Sequence, residues 1–436
     1  MKVSKYNFFK KYDNTIIFFN AMTCALAVVD NSFLQVIKDI KNKCYDEKKY
    51  DKDLLNNMKL SGAIIDDDVN ELKLINFYRN IGKYDTTTLA LTIAPTLACN
   101  FRCKYCFENH NTGVMNSDNQ NALIEFISAH MANIRNLSIT WYGGEPLIAK
   151  SIIYSLSKKI LELCNENNIE YNAFIITNAS LLTDDDIIAF KNYHIKGAQV
   201  TIDGPQKIHD KRRISCNGKS TFNLLINNID KLLNNDLDVI LRINVDKENV
   251  NSLDELLNII KKRILKYQKL RIDFGKVSMF TEICKSIENN CFDNEQYADI
   301  LLPLYKKVID MGFVMNKMTV YPHIRYNYCC TDYINSFVID VEGYMYKCWN
   351  HVGDKVYSCA HLTDKDKKPS VKYLNWIEWN PLLIDKCKKC NMLPICMGGC
   401  PDAARKNVNN MPVCDTVKYN LEKILEFYYE KLKGEI

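Results

Sequence analysis

The stretch TLACNFRCKYCFENH, residues 96–110, holds three cysteines within eight residues: Cys99, Cys103 and Cys106. A closed structural zinc site uses four ligands, usually as two separated pairs. A disulfide framework uses an even number of cysteines and an oxidising compartment. Three clustered thiols suit a four-iron cluster that is held at three corners and leaves one iron open to another molecule. A zinc loop or a set of buried thiols is the alternative.

Strand-like and helix-like segments alternate six times from about residue 88 to 315. The predicted strands are residues 89–95, 137–143, 172–178, 198–203, 238–244 and 270–277. This alternation predicts βαβ units and a parallel sheet, so the fold class is α/β with a partial, TIM-like (β/α)6 barrel. Active sites of parallel barrels lie at the carboxyl ends of the strands. The three cysteines directly follow the first strand and so fall where chemistry is expected.

The spacing Cys99-x3-Cys103-x2-Cys106, with Tyr105 directly before the third cysteine, resembles the hallmark of the radical S-adenosylmethionine (radical SAM) enzymes. The resemblance implies a [4Fe-4S] cluster on the three thiolates, which are the natural ligands of such clusters. Its fourth iron would chelate the amino and carboxylate groups of S-adenosylmethionine. An electron from the cluster would then break the sulfonium and give a 5′-deoxyadenosyl radical, so the cofactor carries the chemistry and the protein places it.

Polar motifs follow the second, third and fourth predicted strands, and they are similar to the family's cofactor-binding motifs. GGEP follows the second strand, where its glycines would admit the methionine moiety and its acid would lie near the amino group. ITNAS follows the third strand and would meet the ribose. TIDGPQKIHDKRR follows the fourth, and its last arginine would pair with the cofactor carboxylate through a planar fork. Taken singly, the motifs also suit a tight turn, a helix cap or a surface charge run. The resemblance implies these cofactor-binding residues: Tyr105, Gly143, Gly144, Glu145, Thr177, Asn178 and Arg213.

A second cysteine cluster begins near residue 330, where the sequence becomes irregular and aromatic. Its spacing resembles the seven-cysteine SPASM domain, which holds two auxiliary [4Fe-4S] clusters, so the resemblance implies three clusters in all. A pair of zinc knuckles is the alternative, since Cys-x2-Cys is also a zinc signature. By the family's interleaved arrangement, the first auxiliary cluster would be held by Cys330, Cys348 and Cys400, and the second by Cys387, Cys390, Cys396 and Cys414.

The first auxiliary cluster has no obvious fourth ligand. Some family members carry an eighth cysteine shortly after the first, and residues 331–347 contain none. Either Cys329 or Cys359 completes the cluster, or its fourth iron is open and a substrate thiolate can bind there. His351, close to Cys348, is a further candidate, although a lone histidine is more often an ordinary residue.

Residues 1–85 precede the barrel and alternate short apolar strands with helical stretches. The segment FFKKYDNTIIFFNAMTCALAVVD, followed by a helix and LSGAIIDDD, looks like the winged-helix-like leader-recognition domain of ribosomal-peptide maturases. That domain captures an extended leader by adding it as a strand to a sheet edge. A purely structural extension is the alternative. The expected domains are 1–85, with IGKYDTTT as the linker, then 86–315 for the barrel and 316–436 for the SPASM domain.

The 436-residue chain is expected to be an enzyme that acts on a peptide. The N-terminal domain favours a maturase of a ribosomally made precursor peptide. In such a maturase, hydrogen abstraction leads to a thioether or a carbon–carbon crosslink, and an auxiliary cluster accepts the electron. The alternatives are an anaerobic sulfatase-maturating enzyme that forms formylglycine and, in a different class, a non-catalytic metal-cluster binding protein. Asp273, at the end of the sixth strand, is a candidate catalytic base.

Composition and charge narrow the choice of partners. The net charge is only +5, and no basic stripe indicates nucleic acid. No stretch reaches the length of about 18 apolar residues that a membrane span needs. Oxygen-labile clusters imply a reducing cytoplasm. The expected partners are a precursor peptide with an N-terminal leader and an electron donor such as ferredoxin or flavodoxin.

Overall fold

The computed structural model describes residues 1–110, 112–264, 267–314, 320–364 and 368–434. Within them the chain builds an N-terminal module, a central parallel sheet and a C-terminal cysteine-rich module. Among these residues, no helix combines the length and the apolar character that crossing a membrane requires.

The N-terminal module contains a small antiparallel sheet with helices packed on it. Its elements are β1 (Lys2–Val3), β2 (Asn7–Tyr12), β3 (Thr15–Asn20), β4 (Ala25–Val29), α1 (Asn31–Lys41), α2 (Lys52–Leu60), β5 (Ile64–Ile65) and α3 (Glu71–Lys83). The sheet order is β2-β3-β4, and β1 pairs with β5. The side chains of Asp30 and Asp51 cap α1 and α2 by accepting a backbone hydrogen bond from the first turn. Phe18 and Phe33 meet in the core beneath the sheet, with ring centroids 5.2 Å apart.

Helix α3 departs from the sequence-based expectation. The predicted linker IGKYDTTT begins inside α3, so the loop before the barrel is shorter than predicted; the predicted boundary at residue 85 lies in that loop. The cause is an inverted pattern, because α3 buries Arg79 and Lys83 while Phe77 and Ile81 are exposed. An amphipathic helix is ordinarily recognised by an apolar buried face.

Six parallel strands form the centre of the chain. The elements of this region are β6 (Thr88–Ile93), β7 (Phe101–Cys103), α4 (Ser117–His130), β8 (Asn136–Trp141), α5 (Lys150–Glu166), β9 (Glu170–Thr177), α6 (Asp184–Asn192), β10 (Ile195–Thr201), α7 (Gln206–Arg212), β11 (Arg213–Ser215), α8 (Phe222–Asn234), β12 (Asp238–Val245), α9 (Leu253–Ile264), β13 (Leu270–Lys276) and α10 (Asn294–Asp310). Strands β6, β8, β9, β10, β12 and β13 pair in chain order, always in parallel. Buried residues alternate along most of these strands, as in β12 with Val239, Leu241, Ile243 and Val245. The predicted α/β partial barrel is confirmed.

The C-terminal module continues the barrel sheet. Its elements are β14 (Ser336–Ile339), β15 (Tyr344–Tyr346), β16 (Ala360–His361), α11 (Val371–Ile377), α12 (Asp385–Lys388), α13 (Leu393–Cys396), α14 (Pro401–Lys406) and α15 (Val417–Gly434). Strand β14 pairs in parallel with β6, the strand that leads to the first cysteine motif. The C-terminal module therefore lies beside the carboxyl end of the barrel. The predicted boundary between residues 315 and 316 lies outside the described residues.

The last helix joins all three modules. α15 packs along α10 of the barrel and reaches the N-terminal sheet. There, Lys10 Nζ lies 2.5 Å from Glu422 Oε2, and the rings of Tyr12 and Tyr429 meet edge to face at 5.7 Å. The N-terminal module is thus packed against the rest of the molecule.

Candidate active site and cluster sites

The three cysteines of the first motif lie together in the loop after β6. Strand β7 pairs antiparallel with β11, and Arg213 stands directly opposite Cys103. Burial, together with smaller effects of neighbouring acidic groups and thiols, raises the pKa of Cys99 to about 12 and also raises the pKa of Cys106. Such thiols stay protonated near neutral pH unless a metal centre replaces their protons. This half-buried, thiol-only donor set fits an iron–sulfur cluster.

The turn after β8 packs directly on the backbone of the cysteine loop. A Cβ atom at Gly144 would lie 2.5 Å from the carbonyl oxygens of Leu97 and Ala98. A Cβ atom at Gly143, which has φ +115°, would lie 2.1 Å from the carbonyl oxygen of Thr96. Only glycine fits at these two positions. The GGEP motif therefore closes the cysteine loop onto the sheet.

Glu145 ties the ends of β8 and β9 together. Its buried carboxylate accepts hydrogen bonds from Thr177 Oγ1 (2.5 Å), the backbone N–H of Asn178 (2.6 Å) and the backbone N–H of Leu147 (3.0 Å). Burial raises the pKa of Glu145, and these bonds lower it. Asn178 Nδ2 also donates to Asn100 Oδ1 in the cysteine loop (2.8 Å). Three of the predicted cofactor-binding residues thus share one network beside the cysteines.

Tyr105 is the centre of a second network. Its hydroxyl donates to Asp203 Oδ2 and accepts from Arg213 Nη1 (2.7 Å) and from Asn244 Nδ2 (3.2 Å). Arg213 is buried, and among the described residues its Nε has no hydrogen-bond partner. An unpaired N–H on a buried guanidinium fits a carboxylate ligand. The sequence pattern did not indicate Asp203 or Asn244 as site residues. The one available signal was that Asp203 is the acid of the TIDGP motif, directly after β10.

A cavity of about 250 Å³ opens between the carboxyl ends of the strands and the C-terminal module. Tyr105, Arg242 and Lys276 line it from the barrel. Trp349 lines it from the C-terminal module and stacks on Tyr142 with ring centroids 5.9 Å apart. Aromatic walls with a few convergent polar groups are typical of small-molecule sites. The region where the barrel places chemistry is therefore covered by the cysteine-rich module.

Asp273, the candidate base, is not among the residues that line this cavity. Its carboxylate forms an ion pair with Arg242, and the Tyr305 hydroxyl lies 3.5 Å from its other oxygen. The ion pair orients Arg242, and a role of Asp273 as a catalytic base stays a prediction.

Electrostatic contacts divide the C-terminal cysteines into two groups. Burial raises the pKa of Cys348, and Asp402 and two nearby thiols raise it further. Burial and, after it, a different set of three thiols raise the pKa of Cys387 to about 11. Mutual effects of this kind require short distances. The groups contain Cys330, Cys348 and Cys400 in one case, and Cys387, Cys390, Cys396 and Cys414 in the other. This grouping agrees with the interleaved ligand sets, whose role as ligands remains a prediction.

The three candidates for a fourth ligand of the first auxiliary cluster differ in their surroundings. Cys329 adjoins Cys330 in the chain, and interaction with the Cys330 side chain raises the pKa of Cys329. The Cys359 thiol instead donates to the carbonyl of Met345 (3.2 Å). His351 Nε2 lies 2.9 Å from a buried aspartate. Cys329 is the candidate in contact with a predicted ligand.

No three histidine, cysteine, aspartate or glutamate side chains in the described ranges are placed to hold a single metal ion. Ligands of one ion converge within a bond length of a point. The thiolates of a [4Fe-4S] cluster sit on separate iron atoms, so the finding concerns single ions only.

Residues 93–260 match the family model of the radical SAM superfamily. The matched range contains the cysteine loop, the GGEP turn and Arg213. Residues 93–260 therefore form a radical SAM domain, and the chain that contains it is an enzyme. The predicted family and the enzyme class are thereby confirmed.

Two relatives are similar to this chain over most of their length. A cysteine-type anaerobic sulfatase-maturating enzyme of Clostridium novyi (strain NT) is 26% identical over 77% of this chain and 95% of its own. The radical SAM cyclopropyl synthase TigE of Paramaledivibacter caminithermalis is 23% identical over 97% of this chain and 94% of its own.

Two solved structures share the fold. The structure of anSMEcpe with bound AdoMet has a TM-score of 0.61 and 19% identity over 80% of this chain and 98% of its own. SuiB of Streptococcus suis, bound to the precursor peptide SuiA, has a TM-score of 0.56 and 16% identity over 95% of this chain and 99% of its own. At identities this low, the structural likeness shows a common fold.

Proposed function

We propose that this enzyme joins two residues of a ribosomally made precursor peptide through a new bond. The observation that carries the proposal is how far the likeness to TigE extends. Coverage of 97% leaves about a dozen residues of this chain unmatched, so the alignment includes most of residues 1–85. The fold likeness to SuiB, whose structure holds a precursor peptide, covers 95% of the chain. An N-terminal module shared with these proteins supports a shared use in recognising a peptide.

The leader of the peptide would add to an edge of the N-terminal sheet. The order β2-β3-β4 leaves β2 and β4 at the edges, and an exposed edge can hydrogen-bond to an extended peptide. Val28, in β4, is 53% exposed and offers an apolar contact there. Residues 1–85, 86–315 and 316–436 would then serve as the leader-recognition, radical SAM and SPASM domains.

The residues of the barrel would hold the cofactors and the reacting part of the peptide. Cys99, Cys103 and Cys106 would hold one cluster, and Arg213 would bind the carboxylate of S-adenosylmethionine. When bound, these groups supply a radical that removes a hydrogen atom from an unreactive carbon, and two auxiliary clusters provide a place for one electron. The protein would hold the peptide in the cavity beneath Trp349 and exclude water from it.

The crosslink removes two hydrogens from the peptide in all. One leaves as an atom, and the other leaves as a proton and an electron when the new bond closes. A peptide cysteine gives a thioether, and a second carbon gives a carbon–carbon bond. A small redox protein such as ferredoxin or flavodoxin would supply the initiating electron in a reducing cytoplasm.

Formation of formylglycine in a sulfatase is the second candidate function. It is favoured by the likeness to the Clostridium novyi enzyme, which is 26% identical and is matched over 95% of its own length. That match leaves about a quarter of this chain without a counterpart, which is why the candidate stands second.

Mass spectrometry of a peptide substrate distinguishes the two candidates. The probe is the short peptide encoded nearest to this gene, synthesised with and without its N-terminal half and incubated anaerobically with S-adenosylmethionine and dithionite. We expect the complete peptide to lose two hydrogens and the shortened one to react poorly. The outcome that would favour the second candidate is an unchanged precursor together with oxidation of a sulfatase-type peptide, in which the cysteine sulfur is replaced by oxygen.

A further inference from the structure

Helix α3 of the N-terminal module turns its charges inward. Arg79 and Lys83 are 1% and 3% exposed, whereas Phe77 and Ile81 on the other face are 58% and 54% exposed. A buried guanidinium is strongly unfavourable unless it is paired and hydrogen-bonded. The partners of Arg79 therefore show what this helix is built to hold.

Arg79 reaches into the C-terminal module. Its Nη2 donates to the carbonyl of Trp379 at 2.7 Å and lies 3.6 Å from Asp332 Oδ1. The side chains of Arg79 and Asp332 are 2% and 4% exposed, so solvent screens this ion pair very little. Asn327 Nδ2 donates to the backbone carbonyl of Arg79 at 3.1 Å. The helix is thus fixed to the segment that runs from Asn327 to Asp332.

Asp332 organises the turn that presents Cys330. Its Oδ2 accepts hydrogen bonds from the backbone N–H groups of Tyr328 (2.9 Å) and Cys329 (3.4 Å). The segment Cys330–Asp332 forms a single 3₁₀ turn. One carboxylate oxygen of Asp332 therefore faces Arg79, and the other accepts hydrogen bonds from the backbone next to Cys330. Helix α3 is thus linked through Asp332 to the turn that contains Cys330.

We propose that Arg79 is a positioning residue for the first auxiliary cluster, because through Asp332 it sets the turn from which Cys330 would bind iron. The inference rests on the proposed ligation by Cys330 and does not depend on which peptide is modified. In the part of the chain that the structure describes, Arg79 makes no hydrogen bond or ion pair with the other two cysteine groups. Its influence should therefore be confined to one cluster, and the N-terminal module becomes part of the redox apparatus.

The test compares Arg79→Met, Arg79→Lys and Asp332→Asn with the wild type after anaerobic reconstitution. Iron per chain is counted, and each reduced cluster is followed by EPR during a redox titration. The signal that is lost in a Cys330→Ala variant is assigned to the first auxiliary cluster. Arg79→Met and Asp332→Asn should shift the midpoint potential and the EPR signal of that cluster alone, or remove about four of about twelve irons. Arg79→Lys should retain part of the wild-type potential and signal, since lysine keeps the positive charge but lacks the planar, forked guanidinium.

Lys83→Met is the matched control. Lys83 is a second buried cation on α3, but its Nζ donates to the carbonyl of Ile377 rather than to Asp332. All three EPR signals should persist in this variant.

Three outcomes would overturn the inference. The first is an unchanged potential and signal in both Arg79→Met and Asp332→Asn. The second is a loss of iron from all three sites, which marks general unfolding. The third is a wild type that binds only about four irons; that result refutes the auxiliary ligation itself and is recognised before any variant is compared.

Discussion

Single residues set the electrostatics of the barrel site, and Arg213 is the clearest case. Its guanidinium is buried and bonds Tyr105, with Nε left for a ligand. Arg213→Met should weaken binding of S-adenosylmethionine about 10- to 100-fold, since a hydrogen bond to a charged group contributes about 1.5–3 kcal/mol. Equilibrium dialysis of the reconstituted protein measures this. Lys211→Ala is the control, because Lys211 is exposed on the adjoining helix α7. Equal affinity for S-adenosylmethionine in Arg213→Met and the wild type would rule out the carboxylate contact.

His209 makes stability depend on pH. Burial, and after it the charge of Arg213, lowers the pKa of His209 to about 4 from its ordinary 6.5. Between these values the unfolded chain binds a proton that the folded protein does not bind. The free energy of unfolding therefore decreases as the pH falls from about 6.5 to about 4, by up to about 3 kcal/mol from this residue.

Replacing His209 by glutamine should reduce that dependence. Thermal unfolding of both proteins, under anaerobic conditions at about pH 7.5 and about pH 5, gives the comparison. The melting temperature of the wild type should fall more between the two conditions than that of the variant. Parallel changes in the two proteins would show that the buried ring does not titrate as described.

The sequence predicts the site residues that are close together in the chain, and it does not reveal the pairs that the sheet brings together. Cys99, Cys103 and Cys106 are recognisable because one loop contains them. The ion pair of Asp273 with Arg242 was not predicted, because the two residues face each other across strands β12 and β13, as the strand register shows. Strand register is a property of the folded sheet, so this ion pair cannot be deduced from either strand alone.

At the scale of elements, the turn after β8 decides where the cysteine loop lies. Gly144→Ala should displace that loop, because the new Cβ would come within 2.5 Å of two carbonyl oxygens. We expect the loss of about four irons per chain and a lower melting temperature. Gly113→Ala, in the same loop, is the control, since its Cβ would meet nothing within 4 Å. Full iron content in Gly144→Ala would contradict this close packing.

Elements were predictable where their own pattern defines them. The six barrel strands combine apolar and β-branched residues and alternate with helix-like segments, and all six are found. Helix α3 was not predicted because its buried face holds Arg79 and Lys83, whose partners belong to the C-terminal module. Strand β14 was not predicted because it has only four residues, and pairing with the distant β6 makes it a strand. In both cases, tertiary contacts override local propensity.

At the scale of the whole molecule, the grouping of the C-terminal cysteines in space differs from their order along the sequence. Cys400 follows Cys396 closely in sequence, but it lies with Cys348 in space. The double variant Cys348→Ala/Cys400→Ala should therefore lose about four irons, whereas Cys348→Ala/Cys396→Ala should lose about eight. Elemental analysis for iron and zinc measures both. Equal losses in the two variants would contradict the interleaved arrangement.

The most direct measurement tests whether Cys99, Cys103 and Cys106 hold a [4Fe-4S] cluster. Iron per chain is counted after anaerobic reconstitution of the wild type and of the Cys99→Ala/Cys103→Ala/Cys106→Ala variant. A radical SAM enzyme with two auxiliary clusters should bind about twelve irons, falling to about eight in the variant. Little iron in the wild type, with zinc in its place, would contradict radical chemistry and leave a zinc-stabilised binding protein.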